Sequence, residues 1–152
     1  MTETAHGPGR TPADVDYGAD LIGRSVSFGK TVGETDVYLF AGISGDFSPN
    51  HVDEEYMKGG RYGRRIAHGV LMLAYMSTCS SKFVESIGNH PHVSYGYDRV
   101  RFVNPVFIGD TIRVVYTITE RLPERRMLHA EVRVFNQDGD VVAAATHILK
   151  EV

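Results

Sequence analysis

Asp46 and His51 stand five residues apart in the segment SGDFSPNHVDEE, which runs from residue 44 to residue 55. Pro49 disfavours a helical conformation at the residue before it, so the chain has to turn between the two side chains. A carboxylate and an imidazole that meet across a turn can share one water molecule and move a proton to or from it. Asp, Ser, Pro and Asn are also common turn residues for backbone reasons, so the segment alone leaves a simple turn open as well.

A strand and two short helices are predicted around this segment. Residues 25–32 alternate between apolar and small or polar side chains, as a strand does. Residues 34–45 have helical spacing, an acidic first turn and a closing glycine, which predicts a short helix. Residues 53–60, DEEYMKGG, predict a further helix of one to two turns that Asp53 caps and Gly59 ends.

The second half of the chain combines one long helix with strands. Residues 70–83 contain no proline and no charge before Lys82, and their apolar side chains predict a helix that is buried on most sides and ends at Gly88. Asp138-Gly139 between two strand-like segments predicts a hairpin. Helices segregated from an antiparallel sheet indicate the α+β class, with the sheet curved around the long helix. The four segments with strand composition are 92–103, 110–121, 127–137 and 141–152.

Composition argues against several classes of function. The 152 residues fit one domain, with a flexible tail at 1–20 that is rich in Gly, Pro, Thr and Asp, and a folded unit at 21–152. A net charge of -3 argues against nucleic acid or an anionic membrane as the main partner. The single cysteine, Cys79, allows no intrachain disulfide, which fits a cytoplasmic location. We find neither a signal-peptide pattern at the start nor an apolar stretch of the ~18 residues that a membrane span needs.

Three blocks in the sequence carry a resemblance to a known family. They are FAGISGDFSPNHVDEEYM at 40–57, GRRIAHGVLMLAYMS at 63–77 and RFVNPVFIGDTIRV at 101–114. Together they resemble the MaoC-like dehydratases, the R-specific enoyl-CoA hydratases, over nearly the whole folded part from about Ser25 onward. The resemblance implies a single hot-dog fold, in which an antiparallel sheet wraps around one long buried helix and short extra helices form an overhang.

The resemblance also implies residue roles. Asp46 and His51 match the catalytic pair of the family signature, which reads roughly G-D-x-N-P-x-H. Gly69 matches the glycine whose backbone N–H holds the thioester oxygen, and Ser77 matches a serine that lines the active site. The block RFVNPVFIGD matches the segment that helps to shape the acyl pocket.

Two positions depart from the family signature. Ser48 stands where the family usually has Asn, and Asn50 stands where it usually has an apolar residue. Ser48 can still donate a hydrogen bond, so the reaction is retained while the acyl specificity is left open. The predicted substrate-contacting residues are Phe47, Ser48, Asn50, Arg64, Arg65, His68 and Ser77.

The chemistry implied by the resemblance is the (R)-specific hydration of a 2-enoyl-CoA thioester, or the reverse dehydration. Water must lose a proton as it attacks C3, C2 must gain one, and the thioester oxygen gathers enolate charge. His51 is the expected base, and Asp46 orients the water or exchanges a proton with it. Gly69 at the start of a helix offers an N–H that an oxygen can approach closely. No metal and no organic cofactor is required, since the substrate is itself the CoA or acyl-carrier thioester.

Several of these residues have simpler interpretations. His68 can be a loop histidine bonded to the backbone, and Ser77 can bond back to a carbonyl of its own helix. Arg64 and Arg65 belong to a basic run, KGGRYGRR, which can be a solvated loop or a contact for the phosphates of CoA. The histidines match no zinc spacing, so no metal site is predicted.

Two rival functions remain open at this level. An acyl-CoA thioesterase on the same fold would not need the Asp–Pro–His loop, and a non-catalytic acyl-binding partner subunit would not need Asp46 or His51. We expect a homodimer or a dimer of dimers, because pairing two copies covers the edge of the sheet. Acyl chain length, the choice between CoA and acyl carrier protein, and the direction of the reaction are not readable from the sequence.

Overall fold

The computed structural model describes residues 19–152. Residues 1–18, which hold most of the predicted tail, lie outside the described residues, and Ala19–Leu21 form a short 3-10 turn. The strands of the described part are β1 (Ser25–Thr31), β2 (His92–Phe102), β3 (Thr111–Leu122), β4 (Met127–Phe135) and β5 (Val141–Glu151). Its helices are α1 (Glu34–Ser44), α2 (Pro49–Val52), α3 (Glu54–Lys58) and α4 (Leu71–Ser86).

The five strands form one antiparallel sheet in the order β1-β3-β4-β5-β2. The side chains of β3 alternate between the core and solvent, so that Ile112, Val114 and Tyr116 are fully buried. These side chains belong to the same core as the apolar face of α4. The α+β class and the sheet around one long helix are therefore confirmed, as are the predicted strands and the turn at Asp138-Gly139.

Helix α4 is less completely buried than its sequence predicts. Its core-facing residues recur at helical spacing and include Met72, Met76 and Cys79, where burial raises the pKa of the thiol to about 11. The opposite side, with Ala74, Ser77 and several polar residues, is exposed in the single chain. The prediction failed here because small residues such as alanine and serine suit either side of a helix, and a sheet covers only one.

The overhang consists of α1, α2 and α3. Gly45 ends α1 in the left-handed conformation with φ 79°, where its N–H donates to the carbonyl of Ala41 at 2.8 Å. Pro49 then begins the one-turn helix α2, where the sequence predicted only a turn. Proline is well suited to the first position of a helix, because its fixed φ is helical and no N–H is needed there. No helix within residues 19–152 is long and apolar enough to span a membrane.

Candidate active site

Asp46 follows the left-handed Gly45 directly, and Ser48 holds its carboxylate. Asp46 Oδ1 accepts hydrogen bonds from the Ser48 hydroxyl at 2.7 Å and from the Ser48 N–H at 3.2 Å. The hydroxyl and the N–H of Ser48 lower the pKa of Asp46, with a smaller contribution from the nearby histidines. The carboxylate is therefore ionised at neutral pH, and its second oxygen is left for another partner. Ser48 thus orients the Asp46 carboxylate by donating hydrogen bonds to it, as a serine at this position was expected to do.

His51 lies on α2 with its ring buried and its tautomer fixed. Nδ1 is 2.8 Å from the carbonyl oxygen of Ile66, so Nδ1–H donates and Nε2 carries the lone pair of the neutral ring. The side-chain amide of Asn50 donates to that Nε2 at 3.2 Å. Burial lowers the pKa of His51, outweighing the bond to Ile66, and the positive charge of a protonated His68 would act in the same direction. His51 is thus a neutral imidazole with its accepting nitrogen directed away from Ile66.

His68 joins the two groups. Its ring stacks on that of His51 with centroids 3.7 Å apart and planes 28° apart. Its Nε2–H donates to the main-chain carbonyl of Asp46 at 2.9 Å. A carboxylate oxygen of Asp46 and one ring nitrogen from each histidine all lie within 4.8 Å of one another. Two hydrogen bonds through one water molecule span a distance of this size.

The same three side chains are close enough to hold a metal ion. The stacking of the rings opposes this role, because imidazole lone pairs lie in the ring plane, and two stacked planes direct them side by side rather than at one point. One ring would have to turn before both could bind a single ion. The arrangement as it stands suits a shared water better than a metal.

A cavity of about 310 Å³ opens beside His51 and reaches Gly69. Gly69 lies just before α4, and its N–H donates to no other residue among 19–152. A free N–H at the start of a helix attracts negative charge. The cavity is lined by Asn50, His51, Tyr62, Ile66, Ala67, His68, Gly69, Met72, Phe102, Val103, Asn104, Pro105, Val106 and Val142.

Comparison with known proteins decides the family. The family model described as a MaoC like domain matches residues 19–138. The chain belongs to the MaoC-like family. An (R)-specific enoyl-CoA hydratase of Rhodospirillum rubrum is 37% identical over 106 residues, which are 70% of this chain and 71% of that protein. A 3-hydroxybutyryl-CoA dehydratase of Methylorubrum extorquens is 32% identical over 111 residues, covering 72% and 68% of the two chains.

Solved structures share the fold of this MaoC-like chain. An R-hydratase from Pseudomonas aeruginosa, solved in the unliganded form, superposes with a TM-score of 0.74 at 30% identity, over 86% of this chain and 81% of that one. This likeness confirms the hot-dog fold that the sequence resemblance implied.

Not every predicted contact lies at the cavity of the MaoC-like chain. Phe47 is exposed and does not line it. Ser77 is exposed on α4 and lines a second cleft of about 280 Å³ between α4 and β2. Tyr62 and Val142 also line the cavity, and the sequence did not point to them because both lie outside the three blocks that carry the resemblance. Of the predicted residues, Asn50, His51, His68 and Gly69 line the cavity. Asp46 does not line it but lies next to His51 and His68, and Ser48 contacts Asp46.

The two predicted arginines have different surroundings. Arg65 donates to Glu34 at 2.7 Å and to Glu54 at 2.9 Å, and these bonds raise its pKa. Arg65 therefore joins α1 to α3, and because two carboxylates neutralise its charge it is poorly suited to bind a phosphate. Arg64 is exposed, and its guanidinium carbon lies 3.8 Å from the ring centroid of Phe107. Within residues 19–152, Arg64 has no carboxylate partner closer than 4.0 Å.

Proposed function

We propose that this protein hydrates 2-enoyl-CoA thioesters to (R)-3-hydroxyacyl-CoA, or catalyses the reverse dehydration. Its family and its hydratase and dehydratase relatives make it a hydro-lyase. The observation that carries the proposal is the meeting of an ionised carboxylate, a neutral imidazole and a free N–H. Asp46 and His51 approach within 4.8 Å beside the cavity that Gly69 lines.

The geometry supports an order of proton transfers. A water between Asp46 and His51 takes the place of the Asn50 amide at Nε2 of His51 and gives its proton to that nitrogen as its oxygen attacks C3. The enolate oxygen that forms accepts from the Gly69 N–H at the positive end of α4. The imidazolium then returns the proton to C2; Asp46 is the weaker donor because its lowered pKa leaves it unprotonated. No step needs a metal or an organic cofactor, although the lack of a cofactor stays a prediction.

The size of the cavity favours a short acyl chain. Its volume of about 310 Å³ is at the lower end of the range for ligand pockets. Met72 and Phe102 form part of its wall, so a long straight chain would have to displace one of them. Crotonyl-CoA is therefore the substrate to test first.

The nucleotide end of CoA is proposed to lie at Arg64. A guanidinium stacked on an aromatic ring and not neutralised by a carboxylate is well placed to bind phosphate. Arg61 adds a second positive charge at 5.8 Å from the ring centroid of Tyr62, which lines the cavity.

A second copy of the chain is proposed to cover the edge strand β2. Strand β2 ends the sheet and exposes Val93, Tyr95 and Phe102. An unpaired edge with apolar side chains tends to associate. We expect a homodimer, to be measured by sedimentation equilibrium; a monomer at all concentrations would reject it. The cytoplasmic location stays a prediction from composition.

A hydration assay across short, long, branched and carboxylated enoyl-CoAs tests the function, with Asp46→Asn as the blank. Loss of the enoyl-thioester absorbance without thiol release is the expected result. Release of free thiol would instead favour the thioesterase alternative. Binding of acyl-CoA with no turnover on the whole panel would favour the non-catalytic subunit and reject the proposal.

A further inference from the structure

We propose that His68 is a positioning residue that holds Asp46 and His51 in the arrangement needed to share a water. This inference rests on the proposed function. His68 is not expected to touch the reacting atoms. It acts through two contacts, a hydrogen bond to the main chain of one reacting residue and a stacked ring against the other.

The first contact fixes the loop that carries the carboxylate. His68 Nε2–H donates to the Asp46 carbonyl at 2.9 Å, across 22 residues of sequence. Asp46 follows the end of α1, and among residues 19–152 its side chain bonds only to Ser48, two residues away in the same loop. The bond from His68 therefore ties this loop to the segment that begins α4, and so to the side of the cavity where Gly69 lies.

The second contact fixes the ring of the base. His51 can tilt about its side-chain bonds unless something restrains the ring face, and the bonds to Ile66 and Asn50 act only at the edges of the ring. The stacked His68 ring, 3.7 Å away, restrains the face. His68 is itself held by Phe40 of α1, with ring centroids 4.9 Å apart. The order Phe40, His68, His51 thus connects α1 to α2 through a ring that is 1% exposed.

A histidine that only filled space would be a poor choice at this position. Nδ1 of His68 is buried and has no hydrogen-bond partner among the described residues, which is unfavourable for a polar atom. A leucine or phenylalanine would fill the same space without this disadvantage. What histidine adds is the Nε2–H for Asp46 on a flat ring that can stack on His51.

Two variants separate the two contacts. His68→Gln retains a side-chain N–H for the Asp46 carbonyl but has no ring, and His68→Phe retains the ring but has no donor. The matched control is His147→Gln, since His147 is also fully buried and bonded at both nitrogens but lies outside the cavity. We expect each His68 variant to lower kcat for crotonyl-CoA by about 10- to 100-fold with KM changed less than about threefold, as misplacement of a reacting group does. The control should retain kcat.

A second readout does not depend on turnover. The stacked ring of His68 lies 3.7 Å from that of His51 and shields its ring C–H protons. NMR of the free protein should therefore show the His51 ring C–H signals moved downfield in His68→Gln, which has no ring, and nearer to their wild-type positions in His68→Phe, which retains one.

The outcomes distinguish the two proposals. Wild-type kcat in both His68 variants, or an equal loss in His147→Gln, would overturn the positioning role while leaving the hydratase function intact. If the wild-type protein hydrates no enoyl-CoA, the proposed function fails, and the His51 ring signals alone decide whether His68 holds the ring. Unshifted His51 signals in His68→Gln would then overturn the inference. If one variant does not fold, the other decides.

Discussion

The ring of Phe102 occupies the space that a side chain on Gly69 would need. An ideal Cβ built on Gly69 would lie 2.8 Å from Cγ and Cδ2 of Phe102, closer than such atoms approach in real structures. The glycine is therefore required for packing across the cavity as well as for access to its N–H. The sequence resemblance pointed only to the second reason.

Gly69→Ala should reduce activity more than stability. The half-exposed Phe102 ring can swing aside, but it then enters the cavity or leaves the wall open, and we expect kcat to fall by about 10- to 100-fold. The double variant Gly69→Ala, Phe102→Ala should recover part of the loss, as a double-mutant cycle measures. Gly42→Ala is the control, because a Cβ there meets nothing within 4 Å. Additive losses in the cycle would contradict the steric explanation.

Asp46→Asn and His51→Gln should each lower kcat by about 10²–10⁴-fold, the usual contribution of a general acid or base. Both changes preserve size, and neither residue belongs to the apolar core, so the melting temperature should change little. Steady-state kinetics and thermal unfolding of the same preparations check both statements. Near-normal turnover in either variant would remove that residue from the mechanism.

Asn50→Asp should shift the pH dependence of the reaction. Asn50 donates to Nε2 of His51, and a carboxylate there would favour the imidazolium, so the pKa of His51 should rise by about one unit or more. The acidic limb of kcat/KM should move to higher pH by the same amount. Asn104→Asp places the same charge on the cavity wall without contact to His51, and its profile should resemble that of the wild type. Equal shifts in both variants would show that the contact is unimportant.

Arg64→Ala should raise KM for crotonyl-CoA by about tenfold and leave kcat unchanged, which is the loss of one charge-assisted hydrogen bond. A short thioester without the nucleotide, such as the N-acetylcysteamine ester, should be hydrated equally by both proteins. Arg125→Ala, which removes an exposed arginine distant in sequence from the cavity blocks, serves as the charge control. A KM that rises for both thioesters would place the effect in the acyl site instead.

His147 should make the fold less stable in mild acid. Burial lowers the pKa of His147 to about 4 in the folded chain, from 6.5 in the unfolded chain. Between these two pH values the unfolded chain binds a proton at His147 and the folded chain does not. The stabilisation that the neutral His147 provides is complete above pH 6.5 and is lost as the pH falls toward 4. The free energy of unfolding falls by about 3 kcal/mol in total over this window. Urea unfolding at several pH values in this window should give a free energy of unfolding that depends less steeply on pH in His147→Gln than in the exposed control His90→Gln. Some slope should remain, because His51 titrates in the same direction.

The sequence predicted the elements and the approach of Asp46 to His51 because both depend on local features. The left-handed Gly45, the proline after Ser48 and the alternation of the strands each act within a few residues. The helix α2 was missed, since proline ends one helix and begins another equally well.

The remaining features of the site depend on residues far apart in the chain. Arg65 looked like a phosphate ligand in the sequence, but its partners, Glu34 and Glu54, lie 31 and 11 residues away. Tyr62 and Val142 reach the cavity through the fold alone. The stacking of His68 on His51 likewise follows from where α4 begins, which no local pattern states.

The chain exchanges hydrogen bonds between α2 and the segment before α4 in both directions. His51 donates to the carbonyl of Ile66, and the Ile66 N–H donates at 3.0 Å to the carbonyl of Asn50. The Ala67 N–H in turn donates to the carbonyl of Val106 at 2.7 Å. A fluctuation that moves the overhang away therefore breaks the hydrogen bond that supports the His51 imidazole. The same motion exposes residues 66–67, the segment that bonds to Val106. Amide protons on both sides should exchange with deuterium as one cooperative unit, and the proposed site would open as a whole rather than residue by residue.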